Sequence, residues 1–183
     1  MFYTDGLFMV SSTSNGLGTS NIYYDGNRLA VINSELGAAP QRQILYGAAI
    51  NRGVITGNYF HDTPMPAVRL SAQDGPTWNI VVSDNKIGRV GAPITLASRT
   101  GPRPNCCSGH NIVIERNYIY DSTNGITAQR DAYTDIIVRN NIITNNTWSL
   151  LLNTQTNPEG PSGGVKRLRF YGNTLFTGSK YAI

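Results

Sequence analysis

The chain has 183 residues, enough for one sizeable core and short for two, so one domain spanning residues 1–183 is expected. With 14% charged and 40% hydrophobic residues, it is neither a charge-rich disordered chain nor a coiled coil. The net charge of +4 comes from scattered basic residues such as Arg28, Arg52, Arg69, Arg89, Arg99 and Arg116, with no run of five or six like charges. No apolar run approaches the roughly 20 residues that cross a bilayer, so neither a nucleic acid nor a membrane is expected as partner.

Nineteen Gly, nine Pro and nineteen Asn are spread along the whole length, a density of turn formers that predicts many short strands. Met1 to Gly6 shows no basic segment followed by an apolar one, so no secretory leader is read there. Asp5 to Val10 reads as a first strand. One pattern then recurs in chain order. Taking an Asn as zero, apolar residues stand at −5, −3 and +2: Ile22, Tyr24, Asn27 and Leu29; then Ile55, Asn58 and Phe60, with Gly53 at −5. Ile80, Val82, Asn85 and Ile87 follow, then Ile112, Ile114, Asn117 and Ile119, then Ile136, Val138, Asn141 and Ile143, and finally Leu168, Phe170, Asn173 and Leu175. The Asn positions are separated by 31, 27, 32, 24 and 32 residues.

A second alternating pair follows at +9 and +11, as Ile94 and Leu96, Ile126 and Ala128, and Leu150 and Leu152; Val68 and Leu70 fit with one residue inserted. Turn clusters such as Asp121 to Gly125 separate the pairs, so each copy holds three short strands. The period is two, with β-branched residues dominant, which excludes an amphipathic helix. A Greek-key sandwich is the rival for a β-rich chain of this size, but it does not require one Asn at one point of every copy. A sharp bend needs a left-handed backbone, which Asn tolerates. Stacked coils about 4.8 Å apart also let each buried amide bond its neighbours above and below.

Through these repeated coils the sequence resembles the right-handed parallel β-helix superfamily, the pectate-lyase-like solenoids, from about Gly6 to Ile183. The resemblance implies an all-β, right-handed, single-stranded parallel β-helix of about six to seven coils. It would have three parallel sheets and an Asn ladder at the corner between the second and third. The strand at +8 to +12 would belong to the first sheet. It also implies an extracellular or cell-surface location. No polar cap is read at either end, so the chain is expected to be a segment of a longer solenoid, or to self-associate through uncapped ends.

Inward residues of a coil make core, so function is expected from outward residues and loops. On the first sheet the outward residues are Arg69 and Ser71, Thr95 and Ala97, Thr127 and Gln129, and Leu151 and Asn153. His61-Asp62, Arg89 and Tyr120-Asp121 stand in the loops that enter it, and Arg99 and Arg130 in the loops that leave it. In the resembling lyases and hydrolases this face is a polysaccharide groove, so an acidic polysaccharide is the expected partner.

A uronate lyase needs a cation for the substrate carboxylate and a base for the C5 proton. Arg69, Arg99 and Arg130 are the candidate cations, and His61 or Tyr120 is the candidate base, oriented by Asp62 or Asp121. Thr127, Gln129 and Asn153 are further candidates for substrate contact. A hydrolase needs two carboxylates, and Asp62 and Asp121 stand in one column two coils apart, roughly 9.6 Å. The Asn-Thr-Asp, Asp-Asp and Gly-His-Gly signatures of polygalacturonase-like hydrolases are absent, as is the Arg-x-Pro-x-x-Arg of pectate lyases. A non-catalytic structural or adhesive solenoid is the alternative.

No cofactor is required. Calcium would have to use Asp62, Asp121 and loop carbonyls, and no cluster of three carboxylates is visible. Adjacent Cys106 and Cys107 give no disulfide framework.

Overall fold

A computed structural model describes residues 22–25, 28–37, 42–72, 75–97, 108–129, 133–153 and 165–176. They form sixteen strands, all paired in parallel. In chain order these are β1 (Ile22–Asp25), β2 (Arg28–Ile32), β3 (Glu35–Gly37), β4 (Leu45–Ala48), β5 (Arg52–Thr56), β6 (Tyr59–Ser71), β7 (Thr77–Ser83) and β8 (Lys86–Ala97). They continue as β9 (Gly109–Glu115), β10 (Tyr118–Tyr120), β11 (Asn124–Gln129), β12 (Tyr133–Arg139), β13 (Ile142–Thr144), β14 (Trp148–Asn153), β15 (Val165–Tyr171) and β16 (Thr174–Phe176).

The strands before the corner stack as β2, β5, β7, β9, β12 and β15, and make the second sheet. The other two faces are one hydrogen-bonded ten-stranded sheet, because β6 and β8 run unbroken from the third face into the first. Three faces therefore arise from two ladders. Inward residues are the alternating apolar ones: Ile55, Ile80, Val82, Ile112, Ile114 and Val138 on the second face, and Phe60, Ile87, Ile119 and Ile143 on the third, each buried. Val68, Leu70, Ile94, Leu96, Ile126 and Ala128 fill the first. Full burial of such a side chain contributes about 1.5–3 kcal/mol. The inserted residue ahead of Val68 is a register shift between Thr63 and Pro66 in the β6–β8 pairing.

The Asn ladder is continuous. Asn58 Nδ2 donates to Asn85 Oδ1, Asn85 Nδ2 to Asn117 Oδ1, Asn117 Nδ2 to Asn141 Oδ1 and Asn141 Nδ2 to Asn173 Oδ1, each at 2.9 Å. Each Oδ1 also accepts the backbone N–H of the corner residue one coil earlier. Asn58, Asn85, Asn117 and Asn141 are at most 2% exposed. Buried amides with every polar atom paired cost the core little.

The first copy is corrected. Ile22 and Tyr24 pair with Leu45 and Gly47 on the first face, not in the second-face stack, and Asn27 lies outside the described residues. The corner of that coil is Ser34, whose N–H donates to Asn58 Oδ1 across 24 residues, with Leu29, Val31 and Leu36 buried at −5, −3 and +2. The shorter Ser side chain bonds its own turn instead, Oγ donating to Ile32 O.

Left-handed residues recur every five positions around each coil. At −6 stand Asn79, Asn111, Asp135 and Arg167; at −1, Asn33, Gly57, Asp84, Arg116, Asn140 and Gly172; at +4, Asp62, Arg89, Asp121 and Asn145, all with φ between 47° and 69°. Their side chains reach the next coil in the same column. Arg116 takes Asp84, Arg167 takes Asp135, and Asn111 takes Asn79.

Candidate functional site

The +4 column turns the chain from the third face to the first, and it gathers four of the residues expected to act. Arg89 grips Asp62 through both carboxylate oxygens, Nε to Oδ1 at 2.6 Å and Nη2 to Oδ2 at 2.9 Å. His61 Nδ1 lies 2.7 Å from Asp62 Oδ2, and its Nε2 lies 3.3 Å from Glu35 Oε1. The ionised carboxylate only accepts, so Nδ1 carries the proton of that bond. Arg89 also donates from Nη2 to Tyr59 OH at 3.1 Å and from Nη1 to Tyr120 OH at 3.2 Å, while the two phenols stand 3.1 Å apart. Lys86 Nζ sits 4.8 Å from the Tyr59 ring centroid and 5.6 Å from that of Tyr120. One coil on, Asn145 Nδ2 donates to Asp121 Oδ1 at 2.5 Å.

Two glycines make the third face fit. His61 leans over Gly37, and Tyr120 over Gly88, where a Cβ would fall 2.4 and 2.2 Å from the rings. The rings pair along the strands, Tyr59 with His61 at 4.4 Å and Tyr118 with Tyr120 at 5.3 Å. Beside them an open recess of about 400 Å³ is lined by Asp62, Thr63, Pro64, Arg89, Asp121 and Thr123, with Val90 and Gly91.

The electrostatics follow from these contacts. Hydrogen bonds from Arg89 first, and from His61 second, hold the Asp62 carboxyl far below the usual carboxylate range. Its bonds to Tyr120 and then to Arg89 lower the Tyr59 phenol, while burial and the bond to Tyr59 push Tyr120 up to about 12. Asp62 is thus a fixed anion, unfit to give up a proton near neutrality.

Of the residues expected from sequence, His61, Asp62, Tyr120 and Asp121 converge here. Arg69 does not. It lies farther along β6 on the first sheet, its guanidinium 5.5 Å from the Tyr46 ring centroid, and its Nε is buried with no hydrogen-bond partner among the described residues. Thr127 is corrected as a substrate contact: it is 1% exposed, and its hydroxyl is spent on Thr95 at 2.9 Å. Ser71, Thr95 and Ala97 are likewise outward in phase but buried. Gln129 and Asn153 are paired on neighbouring strands β11 and β14. Arg99, Arg130 and the cysteines Cys106 and Cys107 lie outside the described residues. Among the described residues no group of three His, Cys, Asp or Glu side chains could hold a metal ion. Tyr59, Lys86 and Glu35 were not singled out from sequence, although the outward +1 and +3 positions of the third face would have found all but the place of Arg89 between them.

Comparison with known proteins decides the family: the sequence model of the right-handed β-helix region matches residues 3–180. The chain belongs to that family. The ladder of Asn58 to Asn173 and the parallel stacking are those of a right-handed β-helix, and the +4 cluster is a feature of its third face. No curated protein and no solved structure matches the chain.

Proposed function

We propose that this β-helix binds an acidic polysaccharide on its first sheet, with Arg69 as the carboxylate-binding cation. The observation that carries the reading is the half-buried guanidinium of Arg69, which meets no carboxylate among the described residues. A guanidinium in that state offers a ligand carboxylate charge-assisted donors in the planar two-pronged geometry it prefers. The Tyr46 ring beneath the guanidinium holds it in place. The recess at the start of the same sheet offers Asp121 and Thr123 to sugar hydroxyls.

The reading is of binding. The base candidates His61 and Tyr120 stand in the Arg89 cluster of the third face and the adjoining corner, and Arg69 lies farther along β6 on the first sheet, so the cation named here does not share its place with either expected base. Calorimetric titration with a polyuronate and with a neutral glucan tests it. The expected result is binding of the polyuronate alone, weakened about tenfold by Arg69→Gln. Equal affinity for the neutral chain, or an unaffected Arg69→Gln variant, would overturn it. Growth of the unsaturated-uronate absorbance during the titration would add elimination to binding.

A further inference from the structure

The third face carries a donor cluster whose internal hydrogen bonds do not consume its protons. Arg89 has five N–H bonds. Two go to Asp62, one to Tyr59 OH and one to Tyr120 OH, which leaves one. The two phenols share a single O–H bond between them. One phenolic proton therefore has no acceptor among the described residues. The Lys86 ammonium faces the two rings and meets no described carboxylate. The carboxylate held within the cluster, Asp62, is filled by Arg89 on both oxygens and by His61 on one.

We propose that Lys86, Tyr59, Tyr120 and Arg89 form a second anion site, for a tetrahedral oxyanion, and that its occupant is a sulfate ester on the bound glycan. The spare donors come from three directions, Lys86, one phenol and the outer N–H of Arg89. A sulfate ester presents three terminal oxygens to them, where a carboxylate presents two. Charge-assisted bonds from Lys86 and Arg89 supply the attraction. The site lies on a different face from Arg69 and does not depend on it; only the naming of the occupant as a glycan ester rests on the polysaccharide reading.

The test titrates the chain with a sulfated polyuronate, with its desulfated form and with inorganic sulfate. Sulfation is expected to tighten binding about tenfold, and inorganic sulfate to compete away that gain alone. A variant carrying Lys86→Gln, Tyr59→Phe and Tyr120→Phe keeps the rings and is expected to bind both chains alike, at the parent's affinity for the desulfated one. Lys86→Gln alone, at an exposed position, is expected to lose part of the gain and guards against misfolding of the triple variant. Arg69→Gln should weaken both chains equally and preserve their ratio. A gain that survives both Lys86→Gln and a triple variant of unchanged melting temperature would overturn the site, as would a parent protein indifferent to sulfation. Binding of inorganic sulfate without any preference between the chains would overturn the ester as occupant.

Discussion

Two corner columns of this β-helix have the same backbone need and opposite chemistry. The Asn corner is buried, and five amides of one kind bond along it from Asn58 to Asn173. The left-handed backbone expected of the ladder Asn residues belongs instead to the residue before each, such as Asp84 or Arg116. At the +4 corner Asp62, Arg89, Asp121 and Asn145 are themselves left-handed, with Asp62 and Arg89 each 46% exposed at the side chain. An interior corner must satisfy every polar atom from within, so one residue type repeats. An exposed corner lets water satisfy what neighbours do not, so residue types are free to vary and to take up other work.

The largest effect that would break this contrast is expected from Asn117→Ala. It removes the amide from the centre of the ladder and strands the N–H of Asn85, the Nδ2 of Asn85 and the carbonyl of Val82. We expect a loss of roughly 4 kcal/mol in urea unfolding. Asp121→Ala at the other corner should leave the urea midpoint where it was; equal losses at both sites would erase the distinction.

Next comes Tyr133→Phe. Tyr133 is wholly buried, its single O–H donates to the Ala97 carbonyl at 2.8 Å with that of Leu70 at 3.1 Å, and its ring rests where Gly109 has no side chain. Loss of the hydroxyl should cost about 2 kcal/mol by the same measurement.

A smaller, pH-dependent effect comes from Glu115. Burial pushes its carboxyl up, but bonds from Arg139 and Arg116 win and hold it below its ordinary 4.5. A carboxyl lowered by folding stabilises the protein above its unfolded value, and that contribution fades as acid is added through the folded one. Glu115→Gln should therefore flatten the decline of melting temperature below about pH 4.5. An unchanged acid limb would place the acid sensitivity elsewhere. Smallest of all, Gly88→Ala should displace the Tyr120 ring from its seat. It should trim the sulfate preference with little change in melting temperature.

The corner that was legible in the sequence is the one whose chemistry is dictated by burial. Asn58, Asn85, Asn117 and Asn141 announced themselves because each is flanked by inward residues at fixed offsets. Ser34 escaped because its backbone N–H keeps the ladder while its side chain does not, and Ile22 and Tyr24 imitate the pattern one face out of phase. Its spacing of 24 residues from Asn58, equal to that between Asn117 and Asn141, was the available clue.

At the site, His61-Asp62 and Tyr120-Asp121 were readable as polar pairs in turns, but their partner Arg89 was not readable as such. Column neighbours sit 24 to 32 residues apart in sequence, and only the stacking brings their tips together. The reverse error befell Thr127. Alternation placed it outward correctly, but phase along a strand does not tell whether an outward side chain meets solvent.

The register shift between Thr63 and Pro66 has a wider implication. A strand that slips by one residue inverts all its side chains, so most length changes would turn the core inside out. Here the extra residue is taken up at the bend, and Val68 and Leu70 still face Ile94 and Leu96. The bend thus works as an expansion joint. Because Thr63 and Pro64 also wall the recess, the mouth of this molecule can be remodelled by insertion while its interior keeps its phase.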